Sequence, residues 1–366
     1  MAAAVSAAGI AVVLVGYALA GQPKPANSPV EDARVVAAKT AYIDAHVHID
    51  HQDPAGSFRA LVRAMDRMNA VKNIVLTEPY GPDDPARWDA EVILPAAKKY
   101  PDKLSVLGGG ATLNAMILQS AKTGDASPAV RRKFTERAEE LLREGAAGFG
   151  ELSTEHFIQP SSPLKDYESA PADTPLMLLL ADIAARHRVP IDLHMEAVPQ
   201  TMPLPAGLDS PPNPPEIPGN IAGFERLLRH NPHAKIIWVH AGADNTGYRT
   251  PDLCRRLLES HPNLYMEIKA DPTYPGKNPV LVNGKVQPEW LKLFQDFPDR
   301  FIIGSDQHYG PNSQGPLSRA QASVLVLNQL PADLARKIGR ENVVRIYGGT
   351  QGQSGASGLA RETSKP

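Results

Sequence analysis

The chain has 366 residues, of which 42% are hydrophobic and 21% charged, a composition typical of a globular protein with one large domain or two ordinary ones. Its formal net charge of -2 gives no electrostatic reason to expect nucleic acid or an anionic membrane surface as a partner. The single cysteine, Cys254, excludes an internal disulfide. It lies in a helical pattern, where we expect a buried and unreactive thiol.

The two ends of the chain differ from its middle. Residues 2–20 carry no charged side chain and end in an Ala-Leu-Ala pattern, which predicts a signal peptide over residues 1–20, cleavage after Ala20, and export to the periplasm or outside the cell. The alternatives are an uncleaved membrane anchor and a start site placed too far upstream. Residues 21–40, rich in proline and alanine, predict a flexible leader, and residues 349–366 predict a disordered tail.

Between these ends, strand-like and helix-like patterns alternate. Eight apolar runs predict strands at residues 42–50, 71–79, 104–110, 146–152, 190–196, 235–242, 264–270 and 300–306. Helical periodicity predicts helices at residues 57–70, 89–100, 128–144, 174–188, 221–230, 251–260 and 288–297, with closing helices at 331–348. Ser57 is the predicted N-cap of the first helix.

This alternation predicts an α/β fold in which parallel strands are joined by right-handed crossovers. Eight units within residues 41–348 match a (β/α)8 TIM barrel in number and length. An open doubly wound sheet is the alternative, but the sequence lacks a glycine-rich dinucleotide fingerprint. Two proline-rich insertions, at residues 196–220 and 271–288, follow strands and are candidates for substrate lids or for simple surface loops. Four tyrosines are candidate pocket walls: Tyr80, Tyr248, Tyr274 and Tyr309.

Histidines and carboxylates recur near the C-terminal ends of the predicted strands, where barrel enzymes build their sites. In the first strand, alternation would place Asp44, His46 and His48 on one face, opposite Ile43, Ala45 and Val47. The candidate metal ligands are His46, His48, Glu151, His194, His240 and Asp306. Packing gives no reason to concentrate such groups at one rim, because a buried charge is costly without a partner. Together they predict a metal site.

Other polar residues near these positions carry weaker expectations. Asp44 is expected to support the histidine pair or the barrel interior, and His51 and His308 lie close to the site without a certain register. Glu155 and His156 are expected in a loop. Four histidines at helices or helix ends are expected to be solvated: His187, His230, His233 and His261.

Six motifs of the chain resemble the metal-dependent amidohydrolase superfamily, in its amidohydrolase-related branch: DAHVH, GFGE, DLHME, WVHAG, GSD and ENVVRIYG. The resemblance covers Tyr42 to Gly348 and implies a (β/α)8 barrel with one or two divalent metals, zinc first, with manganese or iron as candidates. It implies a first metal on His46, His48 and Asp306. A second metal would be held by His194 and His240, with Glu151 bridging the two.

The fourth strand lacks the carboxylated lysine that bridges the metals in many two-metal members, although Glu151 can supply a bridging carboxylate. In a single-metal arrangement, His194 completes the first site and His240 acts on the substrate or the water. The number of metals stays open. One tightly held ion, with Glu151 and His240 able to recruit a second, is slightly favoured.

The resemblance implies hydrolysis of a carboxylic ester, lactone or amide of a small molecule through a metal-activated water. Asp306 would accept and return the proton, and His240 or the metal would polarise the carbonyl. The alternative is a metal-dependent decarboxylase of an unsaturated or aromatic acid, with Arg249 or Lys269 binding the carboxylate. A non-catalytic binding protein would predict gaps in the ligand set, and the sequence shows none. No nucleic acid is expected as partner, stable membrane contact is expected only if the N-terminal segment stays uncleaved, and a homodimer is left open.

Overall fold

The computed structural model describes residues 35–84, 87–158, 167–272, 276–313 and 317–348. The predicted signal peptide, residues 21–34 of the leader, the tail and Tyr274 lie outside the described residues. Within the described ranges, no helix combines the length and the apolar character needed to cross a membrane. The described end of the leader lies against the barrel, where the side chains of Gln321 and Asn328 bond to the backbone of Val36 and Ala37.

Strands alternate with helices along the described chain, as predicted. The strands are β1 (Tyr42–Ile49), β2 (Ala70–Val75), β3 (Leu104–Val106), β4 (Gly108–Gly109), β5 (Phe149–His156), β6 (Glu168–Ser169), β7 (Pro190–Met195), β8 (Met202–Pro203), β9 (Glu216–Ile217), β10 (Lys235–Ala241), β11 (Leu264–Ile268), β12 (Leu281–Val282), β13 (Lys285–Val286), β14 (Phe301–Ile303) and β15 (Gln307–Tyr309). The helices are α1 (Pro54–Met68), α2 (Ala90–Ala97), α3 (Thr112–Thr123), α4 (Pro128–Glu144), α5 (Pro175–His187), α6 (Ile221–His230), α7 (Pro251–Ser260), α8 (Pro288–Asp296), α9 (Ser318–Leu327), α10 (Ala332–Arg336) and α11 (Asn342–Tyr347), with a π-helical turn at Lys337–Glu341.

Eight strand positions follow one another, each joined to the next by parallel pairing, and two of the positions are formed by consecutive short strands. β1 pairs with β2, and β2 with β3. The chain continues from β3 into β4, which pairs with β5, and the order then passes through β7, β10, β11 and β14. β14 leads into β15, which pairs with β1. The strand ladder is interrupted between β3 and β4 and between β14 and β15, so the ring is built from two sheets. The predicted (β/α)8 barrel architecture is confirmed.

A register shift in β1 changes the predicted alternation of its side chains. Pairing with β2 slips between Asp44 and Val47. Ile43 and Ala45 join the smaller apolar cluster inside the ring, whereas Val47 packs in the large cluster between strands and helices. The prediction that these three share a face is therefore wrong, because an irregularity of one residue turns the following side chains to the other face.

The smaller cluster fills the barrel below the site. It combines residues from several strands, including Ile237, Val239 and Ile302, with the last helix, α11, which contributes Ile346 and Tyr347. The C-terminal helices thus pack onto one end of the ring. The opposite end, formed by the C-terminal ends of the strands, is where the polar side chains gather.

The helices differ from the prediction in two respects. Helix α1 begins at Pro54, and the side chain of Asp53 caps it by accepting from the backbone of Gly56, so the prediction that Ser57 is the N-cap is wrong. Ser57 lies inside the helix and is buried. Helices α3 and α9 were not predicted, and no side chain caps either of them at its start. Without a capping residue, their sequences lack the usual starting signal.

The two predicted insertions each contain a short antiparallel pair, β8 with β9 and β12 with β13. Their role as lids stays a prediction. Among the tyrosines, Tyr309 is buried in the core between strands and helices, and its role as a wall of the substrate pocket stays a prediction. Tyr80 is buried and bonds to Glu78, and Tyr248 is exposed. Cys254 is buried, and burial raises the pKa of its thiol to about 12, as expected of an unreactive cysteine.

Candidate active site

The six predicted ligand residues converge at the C-terminal ends of the strands. His46 and His48 come from β1, and their Nε2 atoms lie 3.1 Å apart. His46, His48, Glu151 and His240 are buried, and the side chains of His194 and Asp306 are each 13% exposed. Two buried imidazole nitrogens at hydrogen-bond distance, facing carboxylates, form a compact group of metal-ligating atoms.

Glu151 lies at the centre of this group, and its two oxygens face different histidines. Oε1 lies 2.8 Å from His194 Nδ1 and 3.2 Å from His240 Nε2. Oε2 lies 3.5 Å from His46 Nε2 and 3.4 Å from His48 Nε2. The carboxylate therefore stands between two pairs of imidazoles, one on each side.

Asp306 also divides its two oxygens. Oδ1 lies 3.2 Å from His48 Nε2 and 3.8 Å from His46 Nε2. Oδ2 accepts from Lys269 Nζ at 2.5 Å and from Arg319 Nη1 at 3.1 Å. Burial acts to raise the pKa of Asp306, but Lys269 and the hydrogen bond with His48 outweigh it and hold the pKa well below its usual range. Asp306 is therefore held as a carboxylate.

The backbone at two of these residues adopts the left-handed region that non-glycine residues rarely use. The φ angle is 69° at His240 and 51° at Asp306. Such a conformation costs on the order of 1–3 kcal/mol and persists only where neighbouring contacts impose it. Arg319 supplies one such contact, because its Nη1 also donates to the carbonyl of Asp306 at 2.8 Å.

Each imidazole has an oxygen behind it, on the side away from the centre, and for His48 and His240 this oxygen lies at hydrogen-bond distance. His48 Nδ1 lies 3.2 Å from the carbonyl oxygen of Leu76. The other three histidines face carboxylates: His46 Nδ1 lies 3.6 Å from Asp192, His194 Nε2 lies 3.7 Å from Glu196, and His240 Nδ1 lies 3.1 Å from Glu267. This arrangement leaves the opposite ring nitrogen of each histidine directed at the centre.

The buried carboxylates favour positive charge at the centre, which shows in the pKa values of the neighbouring histidines. Burial lowers the pKa of His48, but Asp306 and Glu151 outweigh it and raise the pKa to about 9. The pKa of His194 likewise rises to about 9 because Glu151 and Glu196 outweigh its burial. The pKa of Glu151 falls well below its ordinary value, since hydrogen bonds from His194, His240 and His46 exceed the effect of burial.

A divalent cation would supply this positive charge, and the donor atoms at the centre are of types that bind divalent cations. Among the described residues, three groups of three donors each have their ligand atoms within 4.8 Å of one another. Two of them share His46: one adds Glu151 and His240, and the other adds His48 and Asp306. The third, at the edge of the centre, is His48, Glu78 and His308. Imidazole nitrogen and carboxylate oxygen are ligands that zinc, manganese and iron all accept. The residues present therefore fit a divalent metal, whose identity the donor types do not specify.

Several residues around the centre lie in positions that differ from those expected from the sequence. Glu155 and His156 belong to strand β5 and not to a loop, and the ring of His156 lies 4.5 Å from that of His194. His308 joins the group, since its ring stacks on His48 at 4.7 Å and its Nε2 lies 3.3 Å from Glu78. His51 instead stacks on Trp88.

The four histidines expected in solvent lie at helices or helix ends, and three of them are partly or fully exposed. His261 is the exception. It is buried at the end of α7, so the prediction that it is solvated is wrong. Oδ1 of Asp44 accepts from the backbone of His46 at 3.3 Å and of Ser305 at 2.8 Å. Asp44 thus links the first and eighth strand positions through the backbone.

Three carboxylates behind the histidines are not among the residues predicted from the sequence: Asp192, Glu196 and Glu267. A signal for them was present, because each is an acidic residue in or directly after an apolar strand, and burial there requires a partner. The partner could not be read from the sequence, because each pair except the neighbours Glu196 and His194 joins two different strands.

A sequence model of the amidohydrolase family matches residues 43–349 of this chain. The chain belongs to the amidohydrolase family, which makes it a member of a family of metal-dependent enzymes built on a barrel. Comparison with curated protein sequences finds no significant match.

Solved structures with a similar fold include a 2,6-dihydroxybenzoate decarboxylase complexed with 2,6-dihydroxybenzoate, at 15% identity and a TM-score of 0.45 over 86% of this chain and 99% of that one. A protein of Lactobacillus casei ATCC 334 assigned as a metal-dependent hydrolase has 15% identity and a TM-score of 0.45, over 81% and 77% of the two chains. Amidohydrolase 2 of Bifidobacterium longum subsp. infantis has 13% identity and a TM-score of 0.43, over 84% and 98%. Similarity at this level does not distinguish hydrolysis from decarboxylation.

Proposed function

We propose that this protein is a metal-dependent hydrolase that cleaves a carboxylic ester, lactone or amide bond of a small molecule. The observation that carries the proposal is the position of Glu151, with one oxygen facing His194 and His240 and the other facing His46 and His48. This arrangement supports a centre of two divalent ions that share Glu151. Zinc is the proposed metal, with manganese or iron as alternatives.

When bound, a divalent ion supplies Lewis acidity toward the scissile carbonyl and lowers the pKa of a water molecule. Asp306 is proposed to accept the proton of the attacking water and to return it to the leaving group. Lys269 pairs with Asp306 and keeps the pKa of its carboxyl group low, so the group is unprotonated and is expected to accept a proton only from a water whose own pKa a bound metal would lower. Its Oδ1 is directed toward His46 and His48, where the proposed first ion would lie.

His240 has two candidate roles, as a ligand or as the group that polarises the carbonyl. Its Nε2 faces Glu151 and its Nδ1 faces Glu267, so both ring nitrogens have a carboxylate partner. This supports a ligand role in the two-ion arrangement. Polarisation of the substrate's carbonyl by His240 would fit the single-ion arrangement. In that case the ring would have to turn so that Nε2 faces the scissile carbonyl instead of Glu151.

Decarboxylation of an aromatic or unsaturated acid is the alternative reaction. It would call for a cation that binds the carboxylate of the substrate, and Arg249 and Lys269 are the candidates from the sequence. Arg249 is buried, stacks on the ring of Trp238 at 4.0 Å and donates to the carbonyl of that residue. Lys269 pairs with Asp306. Since both cations already have partners, the geometry supports hydrolysis over decarboxylation.

The experiment that tests this function is an assay of the zinc-loaded and manganese-loaded protein against a panel of esters, lactones, amides and aromatic carboxylic acids. Hydrolysis of at least one class is expected, with loss of activity on chelation. Asp306→Asn should lower the rate by roughly 10²–10⁴-fold, the usual contribution of general acid–base catalysis, while the protein stays folded. Release of carbon dioxide without any hydrolysis would contradict the proposal, and full activity of the variant would contradict the role of Asp306.

We also propose that the protein is exported, on the basis of the uncharged residues 2–20 and the Ala-Leu-Ala pattern that ends them. The intact mass of the protein recovered from the periplasmic fraction tests this proposal. A chain that begins at Gly21 is expected. A full-length chain in the membrane fraction would instead favour an uncleaved anchor.

A further inference from the structure

Glu267 is a buried carboxylate that the proposed reaction does not use. It lies in β11 between the neighbouring strands β10 and β14, and its side chain is fully buried. Its Oε2 accepts from the backbone N–H of His240 at 2.8 Å and lies 3.1 Å from Nδ1 of the same residue. One carboxylate oxygen therefore holds both the backbone and the ring of His240.

The surrounding backbone provides a specific place for this carboxylate. His240 has a φ angle of 69°, a conformation that needs an external contact to persist. The hydrogen bond from its N–H to Glu267 supplies that contact. At Gly304, a Cβ atom would lie only 2.5 Å from Glu267 Oε1, so the absence of a side chain there makes room for the carboxylate. Residues from three adjacent strand positions thus hold the carboxylate of Glu267 against His240.

We propose that Glu267 is a positioning residue that fixes the tautomer and the orientation of His240 and thereby controls binding of the ion on the Oε1 side of Glu151. This inference rests on the two-ion centre proposed above. When Glu267 accepts a proton-bearing Nδ1, the lone pair of His240 stands on Nε2, which lies 3.2 Å from Glu151 Oε1. An acceptor behind a metal-binding imidazole fixes the ring and raises its basicity, and its loss typically costs roughly 10–100-fold in metal affinity.

The effect should be confined to one side of the centre, because the oxygens behind the histidines on the other side belong to other residues. His46 faces Asp192, and His48 faces the carbonyl of Leu76. Neither contact involves Glu267. Loss of Glu267 should therefore weaken one ion and leave the other in place, which a general loss of structure would not do.

The test compares the full-length wild type with Glu267→Leu, which removes the acceptor, and Glu267→Gln, which keeps an acceptor oxygen of the same size. Each protein is stripped of metal and titrated with zinc by calorimetry, and its cobalt-loaded form is examined by visible absorption spectroscopy. Tyr265→Phe is the matched control, because it removes a polar atom from the same strand, where its hydroxyl contacts Arg345 instead of the centre.

We expect two zinc ions in the wild type and in Tyr265→Phe. Glu267→Leu should bind one zinc with unchanged affinity and the other roughly 10–100-fold more weakly, with a changed cobalt spectrum, and Glu267→Gln should show a smaller loss at the same ion. If Glu267→Leu does not fold, Glu267→Gln decides the question by the same criterion.

Two results would overturn the positioning role and leave the two-ion centre intact. One is wild-type affinity for both ions in the Glu267 variants, and the other is an equal loss of both ions, which is the result expected of a structural role alone. Fewer than two zinc ions in the wild type would overturn the two-ion centre, and the inference about Glu267 with it.

Discussion

At the scale of single residues, the candidate site follows from where ligand-type side chains fall on the strands. His46, His194 and His240 could be selected from the sequence, because each stands near the end of an apolar run. The carboxylates behind them could not be paired with their histidines. Glu267, for example, is 27 positions from His240 and meets it only because β10 and β11 are neighbours in the ring.

The close packing around the carboxylate of Glu267 can be tested by adding one methyl group at Gly304. An added Cβ would lie 2.5 Å from Glu267 Oε1 and 2.7 Å from the Cβ of His46. Gly304→Ala should therefore destabilise the metal-free protein by about 1–3 kcal/mol, the usual cost of overpacking, as measured by urea unfolding.

Gly348→Ala is the control for this substitution, because no atom of the described residues, apart from its chain neighbours, lies within 4 Å of the position that its Cβ would take. Its stability should stay within about 0.5 kcal/mol of the wild type. Equal stability of the two variants would show that the space beside Glu267 is not filled as described.

At the scale of elements, the strands could be predicted because their apolar runs are short and bounded, and each predicted strand overlaps an observed one. The helices α3 and α9 were missed because neither begins with a capping side chain. The apolar periodicity of this segment starts only near Ser57 and therefore predicts the start of α1 too late, whereas Asp53 followed by Pro54 is the capping signal that marks the true start. The register shift in β1 cannot be predicted from the sequence of this strand, since the shift arises from its pairing with β2.

Asp89 provides the sharpest test at this scale, because it joins three elements. Its buried carboxylate accepts from the backbone N–H groups of Ala90 at 2.7 Å, Gly109 at 2.7 Å and Thr112 at 3.0 Å. Asp89→Ala leaves these three backbone donors without their acceptor, so we expect a loss of about 3 kcal/mol or more in the free energy of unfolding, measured in urea.

Asp53→Ala is the matched control, since Asp53 is also an N-terminal helix cap but accepts from one backbone N–H, that of Gly56. It should cost about 1 kcal/mol. A loss at Asp89 no larger than the loss at Asp53 would contradict the linking role of Asp89.

At the scale of the whole molecule, the number and order of strands predicted the barrel, and the barrel explains why ligands from distant parts of the chain meet. The C-terminal ends of parallel strands lie at one end of the ring, so residues as far apart as His46 and Asp306 become neighbours. The substrate could not be predicted, because the shape of the pocket depends on loops whose conformation does not follow from hydrophobic periodicity.

Metal binding should stabilise the whole barrel, because five strand positions contribute ligands. Zinc at one hundred times its dissociation constant should add about 2.7 kcal/mol per ion to the free energy of unfolding, and a chelator should reverse the gain. The measurement is urea unfolding of the metal-free protein with and without zinc. His194→Ala should retain only part of the gain, whereas an unchanged gain in this variant would exclude His194 from the ligand set.

The central claim is that Glu151 stands between two metal ions. The most direct measurement is an anomalous difference map from a crystal of the zinc-loaded protein, with data collected on either side of the zinc absorption edge. We predict two peaks, one beside His46, His48 and Asp306 and the other beside His194 and His240, with Glu151 between them. A single peak would contradict the shared role of Glu151, and the absence of any peak at this centre would contradict the metal site itself.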